Sequence, residues 1–295
     1  MDWPFFFELA INGALSGLMY SLVALGIVLI YKSSSVPNLA QGALAMLGAY
    51  VVLALFETLK LPVWAALPVG MLVMFGIGMG IERVALRRLA GRPLIMILMM
   101  TLALDIFVRA SALVAWGGTN RVLPLPISAD PLFIGPVLIN RSYVAGGAVA
   151  LALFGFFVLF FRTRMGIVLR AISDDYTASW SVGISVERGV ALSWAMSAVV
   201  ATLAGALWGS IQGVDQSLSL LLLMGITVAV LGGLDSIGGA IVAGLLLGMF
   251  QGIASGYLDR LVGGGSRELV VAATLVLTIL IRPHGLFGRE DIQRI

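Results

Sequence analysis

Residues 9–31 read LAINGALSGLMYSLVALGIVLIY, a run without a single Asp, Glu, Lys or Arg. A bilayer core about 30 Å thick is crossed by roughly 17–25 apolar residues in a helix, because backbone N–H and C=O groups find no water there and must bond within the segment. The run is long enough to cross and too long for the apolar core of a secretory leader. Met1-Asp2-Trp3-Pro4 ahead of it also lacks the basic residues of such a leader. It is expected to stay in the protein as a membrane helix.

Eight further stretches approach the same requirement: about 38–56, 62–81, 94–116, 143–161, 189–211, 218–234, 238–257 and 268–282. The seventh and ninth segments, 218–234 and 268–282, are short, and Glu268 opens the ninth, so either reads as a full or a partial span. Composition agrees, with 60% hydrophobic and 11% charged residues, against ~25% charged in soluble domains. The short polar joints leave no room for a soluble domain. The expected fold is therefore all-α, a polytopic membrane helix bundle of about 8–9 transmembrane segments forming one domain over residues 1–295.

Charge sets the expected orientation, since Lys and Arg collect in cytoplasmic joints. With the N-terminus outside, the inner joints hold Lys32; Arg83, Arg87, Arg88 and Arg92; Arg162, Arg164, Arg170 and Arg188; and Arg282, Arg289 and Arg294, twelve in all. The outer joints hold five, Lys60, Arg121, Arg141, Arg260 and Arg267, while Arg109 falls inside a segment. The excess places the C-terminus in the cytoplasm. A net charge of +3 does not mark a nucleic-acid surface, because the arginines sit at segment ends rather than on one face with interleaved aromatics. Cysteine is absent and His284 is the one histidine, so no thiolate or histidine metal site, and no cofactor, is expected.

Several motifs carry two readings each. Ala240, Gly244, Gly248, Gly252 and Gly256 place a small residue at every fourth position, and Gly13/Gly17 and Gly205/Gly209 repeat the spacing, a pattern for close helix packing. Asp105 and Arg109 share a helix face inside the fourth segment, either as an internal ion pair that locks the helix or as transport groups. Pro37 and Gly42 discourage a regular start to the second segment. The stretch around Asn38 and Gln41 is then either unwound backbone that holds a polar substrate group or an ordinary turn with Asn38 as N-cap. In the long inner joint 162–188, residues Ile167 to Trp180 read as a short polar helix ended by Gly183, with Arg170 and Asp174 spaced as a pair. It suits docking to a soluble partner, or else serves as a solvated connector or membrane-surface helix. Residues 117–142, with Pro124, Pro126, Pro131 and Pro136, read as an ordered external loop. The run Gly26 to Ser33 mimics a phosphate loop, but Tyr31 stands where glycine is required and no strand precedes it, so ATP is not bound by that route.

Four stretches in order carry a resemblance over nearly the whole chain. They are Asn38-Leu39-Ala40-Gln41-Gly42 through Met46-Leu47-Gly48-Ala49-Tyr50; Arg164-Met165-Gly166 with Arg170-Ala171 and Gly183-Ile184; Gly232 to Ala240; and Arg282 to Gly288. Together they resemble the membrane permeases of the branched-chain amino acid ABC importers. The resemblance implies a second permease of similar fold, two cytoplasmic ATPase subunits, an external solute-binding protein and a place in the bacterial inner membrane. It assigns ATPase docking to Arg164, Gly166, Arg170, Ala171, Asp174, Asp175 and Gly183, and a substrate pathway to Asn38, Gln41 and Gly42. The family usually has histidine at Gln41, an acid at Ala43 and a basic residue near Trp180, so specificity is expected to differ if the first two touch substrate.

On this reading the chain is not an enzyme but the permease subunit of an ATP-driven importer for branched-chain or other small hydrophobic amino acids, working by alternating access. The competing readings are an autonomous ion-coupled transporter or channel working through Asp105, Arg109 and the broken segment at Pro37, and a permease of the same family for urea or aromatic compounds. The charge tally makes the first prediction: a reporter in 170–180 or after Ile295 reads cytoplasm and one in 124–136 reads exterior. A cytoplasmic signal from 124–136 overturns the orientation.

Overall fold

The computed structural model describes residues 3–89, 91–127 and 130–288. Arg289 and Arg294 of the charge tally lie outside these residues. The described chain is mainly helical: α1 (Trp3–Ser34), α2 (Gln41–Glu57), α3 (Val63–Ile81), α4 (Leu94–Trp116), α5 (Arg141–Phe160), α6 (Arg164–Asp174), α7 (Tyr176–Ser181), α8 (Val186–Gln212), α9 (Leu221–Gly232), α10 (Ile237–Val262) and α11 (Ser266–Ile281). Among the described residues six helical runs have the length and composition of membrane spans: α1, residues 63–89 from α3 onward, α4, α5, α8 and α10. Three of the nine expected segments are shorter: α2 and α11, with 17 and 16 residues, and the run Gln216–Gly232, which opens with a tight turn at Gln216–Leu220 before α9. The shortness of α2, unlike that of the other two, was not expected from the sequence.

The all-α expectation fails in one place. The joint 117–142 contains an antiparallel hairpin, β1 (Leu132–Ile134) and β2 (Val137–Ile139), turning at Gly135 with φ of 61°. Pro131 and Pro136 exclude helix here, and the freed backbone groups pair across the hairpin instead.

The chain forms two compact units. One comprises Met1–Ala24, Ile127–Gly155 and Leu223–Ile295, and the other Leu25–Pro126 and Phe156–Leu222. In the first, α1 and α10 run antiparallel with their small residues face to face. A Cβ on Gly17 would lie 2.0 Å from the Gly244 carbonyl oxygen, and one on Gly248 would lie 2.2 Å from that of Gly13. Ser21 adds a hydrogen bond from its hydroxyl to the Ala240 carbonyl at 2.9 Å. Asn12 of α1 ties in the hairpin, donating to the Leu138 carbonyl at 2.7 Å and accepting from the Asn140 amide at 2.9 Å. Two of the stretches that carry the family resemblance meet here: the Leu286 amide donates to the Leu231 carbonyl (2.8 Å) and the Phe287 amide to that of Gly232 (3.2 Å).

In the second unit α2, α3 and α8 form the centre. α2 and α8 run parallel, with Gln41 beside Ser197 and Ala49 beside Gly209; at their crossing Gly205 and Gly48 remove side chains from the seam and let Ala45 and Thr202 approach. Ile30, Leu44, Met74, Trp194 and Ala198 are buried together. On α4, Leu94, Ile95, Met99, Ile106, Phe107 and Val114 are exposed, a surface suited to lipid or to another membrane helix. Arg109 reaches back one turn to Asp105, Nη2 to Oδ2 at 2.6 Å, and the spacing read from sequence is realised as a pair.

Two predictions follow from the packing. Gly17→Ala is expected to lower the thermal stability of the solubilised protein, on the order of the 1–3 kcal/mol typical of overpacking, while Gly76→Ala, with nothing within 4 Å of its added Cβ, leaves it unchanged. Equal losses in a melting assay contradict the seam. For the ion pair, Asp105→Asn or Arg109→Gln alone is expected to reduce assembled protein more than the double change, because a lone charge stays unpaired. A double variant that assembles normally but has no uptake gives the pair a transport role instead.

Candidate functional site

Asn38, Gln41 and Ser197 form one buried polar cluster. α1 ends at Ser34, Ser35 takes a φ of 55°, and α2 begins at Gln41, three residues later than the sequence suggests. The N-cap of α2 is Ala40, not Asn38; the Asn38 carboxamide oxygen accepts from the Ala40 amide at 2.9 Å and so closes a turn ahead of the helix. The Asn38 amide donates to Gln41 Oε1 (3.1 Å), and Gln41 Nε2 donates to the Ser197 carbonyl (3.3 Å). Ser197 Oγ lies 2.8 Å from both Gln41 Oε1 and the Gly26 carbonyl, and its single proton serves one at a time.

All three side chains are fully buried. Gly26 makes room for the cluster: a Cβ there would lie 1.8 Å from Gln41 Nε2. Gly42 points elsewhere, its missing side chain letting α2 approach the Ser219 carbonyl. The structure therefore joins Asn38 and Gln41 but not Gly42, and adds Ser197 and Gly26, which sequence reasoning did not assign to this site. In this conformation the cluster ties the α1–α2 joint to α8.

The joint 162–188, expected on the inner side, is two helices rather than the single one expected. Thr163 caps α6 by accepting from the Gly166 amide at 3.5 Å. Asp175, extended at φ −155°, breaks the run and caps α7 by accepting from the Ala178 amide at 2.8 Å. The expected Arg170–Asp174 pair is not formed: the Arg170 guanidinium donates to the Phe161 carbonyl at 2.6 Å, a buried acceptor that outcompetes a carboxylate in water. Gly166 is buried where a Cβ would lie 2.3 Å from Phe161 Cα, and Leu169 and Ile172 pack on Gly189 of α8. Ala171 is half-buried, and its carbonyl accepts from the Asp175 amide at 3.1 Å. Arg164, Asp174 and Asp175 are exposed, and Gly183 ends the segment at φ 83°.

The joint is also not simply polar. Met165, Ile167, Trp180 and Val182 are all more than half exposed. Their signal lay in the interval Gly166, Leu169, Ile172, which faces one stripe of α6 inward and leaves Met165 and Ile167 outside. Among the described residues no three His, Cys, Asp or Glu side chains come together as a metal site.

The chain is 29% identical to the high-affinity branched-chain amino acid transport system permease protein BraD of Pseudomonas aeruginosa, over 97% of this chain and 96% of that one. It is 27% identical to the corresponding protein LivH of Escherichia coli, covering 99% and 98%. A probable branched-chain amino acid transport permease of Methanocaldococcus jannaschii is 29% identical over 90% of this chain and 88% of that protein. Among solved structures, PsaBC from Streptococcus pneumoniae in complex with Fab shares the fold, with a TM-score of 0.50 and 15% identity over 96% of this chain and 94% of that one. The family model described as the branched-chain amino acid transport system permease component matches residues 9–281, and the chain belongs to that family.

Proposed function

We propose that this chain is the membrane subunit of an ATP-driven importer that moves branched-chain or other small hydrophobic amino acids by alternating access. As a permease component with six long apolar helices, it is a multi-pass protein of the plasma membrane. Its relatives are permease subunits, and ATP hydrolysis falls to separate partners in this reading. The observation that carries it is the near full-length match to permeases named for branched-chain amino acid transport, which also favours that cargo over urea or aromatic compounds. The partners are a second permease of the same fold, two cytoplasmic ATPases and an external binding protein.

Residues 1–295 act as one permease domain with up to nine crossings, the N-terminus outside and the C-terminus inside. Helix directions support the count. Parallel α2 and α8 need an odd number of crossings between them, and α3, α4 and α5 supply it if α6 and α7 stay on one side. Antiparallel α1 and α10 need an even number, so that if α2 crosses the run 216–232 crosses as well. At about 2.0 and 1.5 Å per residue for its two helical parts, that run reaches about 28 Å, close to a bilayer core.

Docking to the ATPases falls to 164–183, where exposed Met165, Ile167, Trp180 and Val182 flank Arg164, Asp174 and Asp175. Gly166, Arg170 and Ala171 hold α6 in place, and Gly183 turns the chain back into α8. Asn38 and Gln41 lie on the substrate pathway, and Gly42 maintains the backbone approach beside it. In the autonomous-transporter reading Asp105, Arg109 and the broken segment at Pro37 would be the working parts; Asp105 and Arg109 pair with each other, which favours their reading as an internal lock.

Asp174→Arg with Asp175→Asn tests the docking. Asparagine keeps the cap on α7 while removing the charge, so the bundle is expected to fold normally. ATPase co-purification and coupled uptake are both expected to fall, and Trp180→Glu to lower them further. Unchanged ATPase retention and unchanged uptake in all these variants remove the segment as the docking site.

A further inference from the structure

Where the ends of α1 and α3 and the starts of α4 and α8 meet, the second unit encloses a cavity of about 390 Å³, within the ~300–1,000 Å³ range of small-molecule sites. Ile30, Leu86, Ile97, Val190 and Trp194 make one wall apolar. The other end is charged. Glu82, whose side chain is 3% exposed, begins a π-helical turn after α3 and accepts from Arg87 Nε at 3.3 Å and Nη2 at 3.0 Å. Arg87 Nη1 also meets Glu187 Oε2 at 3.0 Å, in the first turn of α8, but that carboxylate is 60% exposed.

These groups are not saturated. A guanidinium has five N–H donors, of which these contacts use three, and each carboxylate oxygen of Glu82 has a second lone pair. The cavity thus presents a buried anion and a cation side by side at one end and aliphatic and indole surface at the other. An uncharged apolar molecule would use none of the spare donors and lone pairs at the ionic end, and a simple anion or cation would match only one of the two charges.

We propose that the cavity binds one small zwitterion with an apolar side chain, its ammonium on Glu82 and its carboxylate on Arg87 in place of Glu187. The inference rests on the amino-acid importer reading for its ligand class, while its residues are distinct from the Asn38–Gln41 cluster. Because Glu187 opens α8 immediately after the docking segment, ligand and α8 compete for the same guanidinium. Occupancy releases the first turn of that helix.

The test is equilibrium binding of radiolabelled L-leucine to the full-length permease in lipid nanodiscs, with isoamylamine and isocaproate as competitors lacking one charge each. Leucine is expected to bind saturably, and each competitor to be about tenfold weaker or worse, the loss of one charge-assisted contact. Arg87→Gln and Glu82→Gln weaken leucine by a similar factor, and Glu187→Gln tightens it. Val190→Trp fills the cavity without touching the ion pairs and abolishes binding, which keeps the test intact if a charge variant fails to fold. Absence of leucine binding to the parent protein, binding unchanged in Val190→Trp, or competition by isoamylamine equal to that of leucine overturns the site. ATP-driven leucine uptake, measured separately in the reconstituted complex, distinguishes the two failures. Uptake without the binding pattern leaves the importer reading standing and removes only the site, whereas the binding pattern without ATP-driven uptake does the reverse.

Discussion

Two helices in a bilayer gain little from hiding apolar surface, because lipid is as apolar as leucine; they gain from close approach. α1 and α10 achieve this by placing glycine against glycine, so that carbonyl oxygens of one backbone sit where side chains of the other would be. Each contact is worth only a fraction of a kcal/mol in dispersion, roughly 0.1–0.2 per atom pair, but a seam from Leu9 to Ser21 sums many of them. The same device recurs between α2 and α8. Shape therefore does in this membrane protein what hydrophobic burial does in a soluble one.

Polar groups follow from that constraint. Once helices are packed so closely, a buried amide or charge has few places to find a partner, and an unpaired one is costly. Gln41 meets Asn38 and Ser197, Asp105 meets Arg109, and Glu82 meets Arg87. These pairings differ in what lies beside them. The Gln41 cluster is fully buried, and its amide oxygen and nitrogen are both engaged. The Glu82–Arg87 pair borders a cavity and has donors and lone pairs to spare.

α8 links these features within the second unit. Its first turn carries Glu187 next to Arg87, its next turn meets Leu169 and Ile172 through Gly189, and further along Ser197 holds Gln41. In the proposed cycle a push on α6 and α7 is delivered to a rigid helix whose first half addresses both the cavity and the Gln41 cluster. Stiffness along the helix makes such transmission reasonable, since interior packing yields in discrete rearrangements rather than by continuous deformation.

Length and composition alone determined that this chain spans a membrane repeatedly, because satisfying the backbone in lipid is a local requirement that any long apolar run must meet. The four-residue glycine interval was legible for the same reason, as was the Asp105–Arg109 pair: helix geometry brings residues four apart together whatever surrounds them. Other pairings depended on what the rest of the chain placed nearby. Arg170 lies four residues from Asp174 yet bonds to Phe161, because folding puts a buried carbonyl within its reach. Ser197 meets Gln41 from 156 positions away, and nothing local to either residue announces the other. The hairpin at 132–139, the break at Asp175 and the cavity beside Glu82 are likewise decisions of tertiary structure. Periodicity and length belong to a single segment and can be read there, whereas the partner of a buried polar group is settled only when separate segments pack.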